Sequence, residues 1–245
     1  MNFITYIIIC DNGRKQQIIN YCQDNNLSAY IINDKNYYFR FAIIETSFRK
    51  SGVLRVLNLS SITSIEDISR NCLEFNNIYK IESGIILFAG ITGSGKSTTQ
   101  HFFLKSLVNK QIYLLENPIE MMDESLMQIE ISSKGLDFDS AITQLLRHDP
   151  DVIALGEVRK DQELKSLIRA GLSGHLVCST IHAGDIDQVI SRLIDLGANE
   201  YDLSHVLKTI IYQELKTNEK GEVYAEFKIF SEKEIKQKIS QSKSF

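Results

Sequence analysis

Proline is scarce in this chain: Pro118 and Pro150 are the only two among 245 residues, where average usage gives roughly 12. This scarcity argues against Pro-rich linkers between domains. Cysteine is also rare, and its four occurrences include no C-x-x-C pair, which argues against a zinc ribbon or a thioredoxin-type motif. Scattered cysteines of this kind are typical of proteins in a reducing cytosol.

Long hydrophobic runs and an excess of basic residues are absent as well. The apolar stretch at residues 3–10 is much shorter than the roughly 20 residues of a transmembrane helix, and it lacks the basic start of a signal peptide. The formal net charge is −4, so the whole chain has no electrostatic footprint for DNA or RNA. We therefore expect a cytoplasmic protein that is soluble or peripheral, without direct nucleic acid binding; the alternative is a local basic patch.

The character of the sequence changes after about residue 60. Residues 1–60 alternate short β-rich runs with polar breaks, with strands predicted at 37–44 and 53–59 and a helix at 15–23, which indicates a small α/β domain. Residues 59–64 are a plausible linker. Ser64 is then predicted to cap a helix that reaches Phe75.

Residues 61–245 have the pattern of a doubly wound α/β domain. Continuous apolar runs predict strands buried on both faces, and helical segments lie between them. Strands that alternate with helices favour a mostly parallel sheet. The polar, lysine-rich tail at 231–245 is either a final helix or a disordered end. The predicted strands are 85–89, 111–115, 152–155 and 176–179, and the predicted helices are 97–108, 138–146 and 162–170.

A glycine-rich segment directly follows the first of these strands. Residues 90–97 read G-I-T-G-S-G-K-S, which fits the phosphate-loop motif in its required context of strand, loop and helix. Glycines let backbone N–H groups turn toward phosphates, Lys96 supplies a cation, and Ser97 supplies a hydroxyl for Mg²⁺. The alternative is a chance glycine-rich turn. The motif predicts contacts to ATP from Gly90, Thr92, Gly93, Ser94, Gly95, Lys96, Ser97 and Thr98.

Two acidic segments are candidates for the metal and for the attacking water. Glu157 ends the strand-like segment 149–157, at the place where open α/β sheets bind ligands. Glu116 and Glu120 flank a turn that Pro118 stiffens, and an acid there is able to polarise water. For both segments the alternative is an ordinary acidic surface turn.

His182 lies just past another predicted strand, at 176–179. It is a candidate for contact with the γ-phosphate, and the alternative is a purely structural histidine. The histidines form no helical H-E-x-x-H, so no metal site is predicted beyond nucleotide-bound Mg²⁺.

Four motifs, taken in order, resemble the secretion ATPase family of type II secretion and type IV pilus motors. The phosphate loop resembles the Walker A box of this family. The Asp box resembles residues 116–120, which read E-N-P-I-E. The Walker B box resembles residues 146–159 (L-R-H-D-P-D-V-I-A-L-G-E-V-R), and the His box resembles residues 173–183 (S-G-H-L-V-C-S-T-I-H-A). The resemblance spans roughly 84–215, with weaker similarity at 39–41 and 53–57. It implies a RecA-like ATPase domain at 61–245 and a small PAS-like α/β domain at 1–60.

The resemblance also implies a homo-hexamer in which the N-terminal domain of one subunit closes over ATP on its neighbour. Arg40 and Arg55 are then candidates for nucleotide-contacting arginines supplied in trans; the alternative is two surface cations on strands. Carried over from the family, the catalytic candidates are Lys96, Glu120, Glu157 and His182, and the Mg²⁺ ligands are Ser97 and Glu157. Arginines of the family pattern also fall on Arg147, Arg159 and Arg192.

Within the family, the pattern is most similar to the competence-pilus ATPases of Gram-positive bacteria. This similarity implies a motor for pseudopilus assembly in DNA uptake, acting at the cytoplasmic face of the cell membrane on a polytopic platform protein and indirectly on pseudopilins. The alternatives are a type II secretion or pilus retraction motor, a nucleic-acid motor, and a nucleotide-binding scaffold that hydrolyses poorly. The last follows from the changes at Asn117 and Lys160, where the family pattern has acids. The sequence also departs from the family pattern at Ile91 and at 213–215 (Q-E-L).

Overall fold

The computed structural model describes residues 5–6, 27–32, 35–45, 50–57, 62, 64–69, 75–117, 119, 121, 123–131 and 136–241. The chain divides into two units, residues 1–61 with 118–123, and residues 62–117 with 124–245. Among the helices within these ranges, none is long and apolar enough to cross a membrane.

The described part of the first unit is an antiparallel sheet. Its strands are β1 (Thr5–Tyr6), β2 (Leu27–Ile32), β3 (Lys35–Glu45) and β4 (Lys50–Leu57), in the order β1-β4-β3-β2. The strands predicted at 37–44 and 53–59 overlap β3 and β4. Arg40 and Arg55 stand opposite each other in the β3–β4 register, and their side chains lie outside what the structure describes. The helix predicted at 15–23 also lies outside the described residues.

The second unit is built on a seven-stranded sheet in the order β11-β10-β5-β9-β8-β6-β7. All neighbours are parallel except β10 and β11, which form an antiparallel hairpin. The strands are β5 (Gly84–Gly90), β6 (Ile112–Glu116), β7 (Met127–Glu130), β8 (Val152–Leu155), β9 (Leu176–His182), β10 (Leu207–Thr217) and β11 (Val223–Ser231). The helices are α1 (Phe75–Ile78), α2 (Lys96–Lys105), α3 (Phe138–Leu145), α4 (Asp161–Leu172), α5 (Ile186–Asp195), α6 (Glu200–Val206) and α7 (Glu232–Gln241).

Helices cover both faces of this sheet. Every residue of β5 is buried, and its side chains alternate between two apolar clusters because successive strand residues point to opposite faces. Phe88 packs with Phe103 of α2 in one cluster, while Leu87 lies in the other with buried residues of α3 to α7. The predicted doubly wound α/β arrangement is therefore confirmed.

Side-chain caps start several of these helices. Asp137 accepts a hydrogen bond from the Ser140 N–H at 2.8 Å, before α3, and Asp185 accepts from the Gln188 N–H at 2.8 Å, before α5. These carboxylates satisfy N–H groups that have no partner within the helix. The bonds from Ser140 also hold the pKa of Asp137 below its ordinary value.

The helix predicted from Ser64 to Phe75 is wrong in its described first half. Residues 64–69 form turns, and α1 begins only at Phe75. The Ala225 N–H of β11 donates to the Ile68 carbonyl at 2.8 Å, and Ser69 bridges to Ala225. One helical turn does form, since the Ser69 N–H donates to the Ile65 carbonyl at 3.1 Å. The turn goes no further because the Ile68 carbonyl accepts from Ala225 of the sheet, so tertiary pairing overrides the local cap signal.

The C-terminal tail forms α7 over most of its length, with Ile235 and Ile239 buried in the core. This outcome favours the final helix over the disordered end as far as residue 241; residues 242–245 lie outside the described ranges.

Candidate nucleotide-binding site

The carboxyl ends of four neighbouring parallel strands bring the predicted motifs to one edge of the sheet. Gly90 at the end of β5 pairs in register with His182 at the end of β9. Next in the sheet, β8 leads into Gly156 and Glu157, and the Gly156 N–H donates to the carbonyl of Leu115 in β6 at 2.8 Å. This is the edge at which open α/β sheets bind ligands.

The loop between β5 and α2 requires glycine at its two ends. Gly90 and Gly95 have φ of 153° and 86°, conformations that L side chains rarely adopt. A Cβ on Gly90 would lie 2.5 Å from the Gln213 carbonyl oxygen and 2.6 Å from Ser94 Oγ. The loop therefore packs tightly against Gln213 of β10 and its own Ser94, and a side chain at Gly90 would clash with both.

Lys96 holds a cation inside this loop. The residue is 9% exposed, and its Nζ donates to the Ile91 carbonyl at 2.8 Å. Burial lowers the pKa of Lys96 from its ordinary value, and the negative charge of Glu157 opposes that shift. An ammonium has three donors, so the bond to Ile91 leaves donors for phosphate oxygens.

Two polar atoms at this edge are buried and have no hydrogen-bond partner among the described residues: Ser94 Oγ and His182 Nδ1. Buried polar atoms are nearly always paired, since an orphan costs about 1–3 kcal/mol. Both atoms belong to segments that meet at the Gly90–His182 register pair. Together with Lys96 and the start of α2, where N–H groups have no helical partner, they fit an anionic phosphate ligand.

Glu157 is held by Arg159. The Glu157 Oε2 lies 2.6 Å from both Nε and Nη2 of Arg159. The Thr180 hydroxyl donates to the Gly156 carbonyl at 2.6 Å, and the Val158 N–H donates to the Thr180 carbonyl at 2.9 Å. Strand β9 thus fixes the backbone on both sides of the candidate catalytic acid.

Glu163 fixes the segment that carries Arg159. Its buried carboxylate accepts from the N–H groups of Arg159 at 2.7 Å and Lys160 at 2.9 Å. A carboxylate on the first turn of α4 also interacts favourably with the helix dipole. Lys160, one of the departures from the family pattern, is exposed.

The second acidic segment is described only in part. The Gln128 Nε2 donates to Glu116 Oε2 at 3.0 Å, and a Cβ on Gly156 would be 3.4 Å from Glu116 Cγ, which places Glu116 beside the exit of β8. Asn117 is exposed. Glu120 and Pro118 lie outside the described residues, so the role predicted for Glu120 stays a prediction.

The remaining predicted residues fall into three groups. Ser97 and Thr98 lie at the start of α2, with Ser97 exposed and Thr98 buried, and Thr92 and Gly93 are exposed on the loop. Arg147 is exposed, and the Nε of Arg192 is buried without a partner among the described residues. Arg40 and Arg55 belong to the other unit and stay predictions.

Within the described ranges, no group of three or more His, Cys, Asp or Glu is arranged to hold a metal.

Sequence reasoning missed a set of buried polar residues under the loop. Gln213 of β10 donates from Nε2 to the Ser94 carbonyl at 2.6 Å and accepts from the Thr99 hydroxyl at 2.8 Å. Gln100 donates to the Leu155 carbonyl at 2.8 Å. The signal available in the sequence was the polar run Thr98 to His101 in a helix that packs on a sheet, where apolar residues are expected.

Comparison with known proteins places these motifs in a family context. The sequence model of the family described as "Type II/IV secretion system protein" matches residues 17–242. Competence protein ComGA of Bacillus subtilis is 32% identical over 191 residues, covering 75% of this chain and 54% of that protein. ComGA of Streptococcus pneumoniae is 39% identical over 136 residues, covering 55% and 44%. The chain thus spans about half the length of these relatives.

A solved structure shows the same fold. The pilus retraction motor PilT with bound ADP superimposes with a TM-score of 0.73 at 24% identity, covering 97% of this chain and 73% of PilT. At this identity the likeness bears on the fold alone, and it confirms the predicted α/β class with a RecA-like fold.

Proposed function

Since this chain belongs to the type II/IV secretion system protein family, we propose that it is an ATP-hydrolysing motor that powers assembly of a competence pseudopilus for DNA uptake. The observation that carries the ATPase assignment is the meeting of a glycine-closed loop, the buried Lys96, Glu157 and His182 at the ends of adjacent parallel strands. The similarity to two ComGA proteins supports the competence role.

The chain's own groups divide the work at this site. Lys96, Ser94 and the N–H groups at the start of α2 hold the phosphates, and His182 contacts the γ-phosphate. Ser97 and Glu157 would hold Mg²⁺, which when bound would supply positive charge to the phosphates. Glu157 and Glu120 orient the attacking water. Because Arg159 engages Oε2 of Glu157, Oε1 would be the oxygen available to the attacking water or to Mg²⁺.

The assembly is part of the same proposal. The active form is a homo-hexamer, and Arg40 or Arg55 of one subunit contacts the nucleotide of its neighbour. The hexamer works at the cytoplasmic face of the cell membrane on a polytopic pilus platform protein, and pseudopilins are moved indirectly. Direct DNA binding is not expected, because the net charge of the chain is −4.

Phosphate release by the purified protein tests the ATPase. With Mg-ATP, Glu157→Gln is expected to lower kcat by about 10²–10⁴, the usual contribution of a general acid–base group. Glu219→Gln, an exposed acid in the hairpin turn, is the matched control and keeps the wild-type rate. Equal rates for wild type and Glu157→Gln would remove Glu157 from the proposal.

A gene deletion tests the biological role. Loss of DNA uptake together with loss of the pseudopilus supports assembly. Retained or more numerous pili would instead indicate a retraction motor, and loss of a secreted protein would indicate type II secretion.

A second candidate is a nucleotide-binding scaffold that does not hydrolyse ATP. The observation that favours it is the loss of acidic side chains at Asn117 and Lys160, both exposed beside the site. Wild-type protein that binds Mg-ATP and releases no phosphate, with or without its membrane partner, would establish this scaffold.

A further inference from the structure

Gln213 connects three elements through one side chain. It lies on β10, directly after Tyr212, which pairs with Ala89 of β5, and it is 1% exposed. Its amide nitrogen donates to the Ser94 carbonyl at 2.6 Å and its amide oxygen accepts from the Thr99 hydroxyl at 2.8 Å. The phosphate loop and helix α2 are thereby joined to the neighbouring strand.

The loop also closes on Gln213 by shape. A Cβ on Gly90 would lie 2.5 Å from the Gln213 carbonyl oxygen, and a Cβ on Gly95 would lie 3.0 Å from Gln213 Nε2. Both glycines of the loop ends therefore lie directly against this one residue, and a side chain at Gly90 would clash with the Gln213 backbone.

The bond to Ser94 sets the direction of the next N–H group. In a trans peptide the C=O and the following N–H point in opposite directions. A Ser94 carbonyl held toward Gln213 therefore turns the Gly95 N–H away from Gln213. In a phosphate loop the N–H groups are the ligands for the phosphates, so fixing this peptide plane fixes part of the binding surface before any ligand arrives.

We propose that Gln213 is a positioning residue that holds the phosphate loop in its phosphate-binding conformation through Ser94 and Thr99. The inference rests on the proposed function, because its consequence is for nucleotide binding. Its test uses the nucleotide-free protein, so the two can fail separately. Without Gln213, the Ser94 carbonyl and the Thr99 hydroxyl are buried without partners, and the loop rearranges to hydrate them.

Hydrogen exchange in the nucleotide-free protein measures the positioning directly. In Gln213→Met, which keeps the length of the side chain and removes both hydrogen bonds, amides in residues 90–97 are expected to exchange about thirtyfold faster, in line with two lost buried bonds. In Thr99→Val, where valine has nearly the shape of threonine, the exchange rate of the same amides is expected to rise by a smaller factor. Thr99→Ser keeps the hydroxyl and restores wild-type exchange.

Gln111→Met is the matched control. Gln111 is a half-buried glutamine whose Nε2 donates to Tyr113 Oη at 2.7 Å, at the amino end of β6, far along the sheet from the loop. Its loss removes a glutamine hydrogen bond from the same domain and leaves exchange in 90–97 unchanged.

Nucleotide affinity gives the functional readout. Gln213→Met is expected to bind Mg-ADP about tenfold more weakly and to raise KM for ATP with little change in kcat. The substitution changes the conformation of the free loop and removes no group that takes part in the reaction. Wild-type protein that binds no nucleotide would refute the proposed function, while the exchange result still decides the inference. Unchanged exchange at 90–97 in folded Gln213→Met overturns the inference; if that variant does not fold, unchanged exchange in Thr99→Val overturns it.

Discussion

Single residues at the site carry unusual chemistry for their positions. Lys96 is a nearly buried cation whose Nζ bonds a backbone carbonyl, and Ser94 Oγ and His182 Nδ1 are buried without partners among the described residues. In an ordinary core such groups cost free energy. The proposed phosphate ligand would pair with all of them, which would account for their concentration around one loop.

The titration of Lys96 is the first prediction at this scale. Competitive acetylation of the nucleotide-free protein across pH is expected to give Lys96 a pKa below the ordinary 10.5 of lysine, because burial disfavours its charged form. The charge of Glu157 raises this pKa, so Glu157→Gln lowers it further. A Lys96 that titrates at or above 10.5 would contradict the buried position.

Ser94→Ala separates affinity from stability. The variant removes a buried hydroxyl that has no partner among the described residues, so urea unfolding without nucleotide is expected to show equal stability or a gain of up to about 1 kcal/mol. Mg-ADP binding is expected to weaken about threefold to tenfold.

Thr99→Val is the comparison variant. Its free energy of unfolding is expected to fall by about 1 kcal/mol, because the Gln213 amide oxygen loses its donor. A large loss of stability in Ser94→Ala would show that the hydroxyl is already paired.

At the scale of elements, the turn from β8 into α4 positions Glu157 through its neighbours. The Glu163 carboxylate accepts from the backbone N–H groups of Arg159 and Lys160. The side chain of Arg159 in turn donates to Glu157. Glu163→Gln is expected to lower the free energy of unfolding by about 1 kcal/mol, the usual size of a helix cap, and to lower kcat. Asp161→Asn, an exposed first-turn acid on the same helix, is the control and changes stability by less than about 0.5 kcal/mol.

The elements also show which features the sequence can and cannot predict. The phosphate loop, Glu157 and His182 are predictable because each lies at or just after the end of its own strand, and parallel strands bring their ends to one edge. The turns at 64–69 are not, because the bond from Ala225 to Ile68 joins distant parts of the chain. Gln213 is also missed, since only the β5–β10 register places it under the loop.

At the scale of the whole molecule, the proposal requires that one subunit complete the site of another. Arg40→Ala/Arg55→Ala protein and Lys96→Ala protein are each expected to be inactive alone. When mixed, they form some interfaces that combine an intact loop with intact arginines, so phosphate release returns in part. Size-exclusion chromatography with light scattering checks that the mixture is hexameric. A hexameric mixture without activity would place the arginines outside the nucleotide site.

The measurement that tests the central claim most directly is the identity of the nucleotide recovered from the protein after incubation with Mg-ATP. The account predicts ADP from wild type, ATP from Glu157→Gln and no bound nucleotide from Lys96→Ala, because the loop binds and Glu157 promotes cleavage. Intact ATP on wild-type protein, or equal nucleotide on wild type and Lys96→Ala, would contradict it.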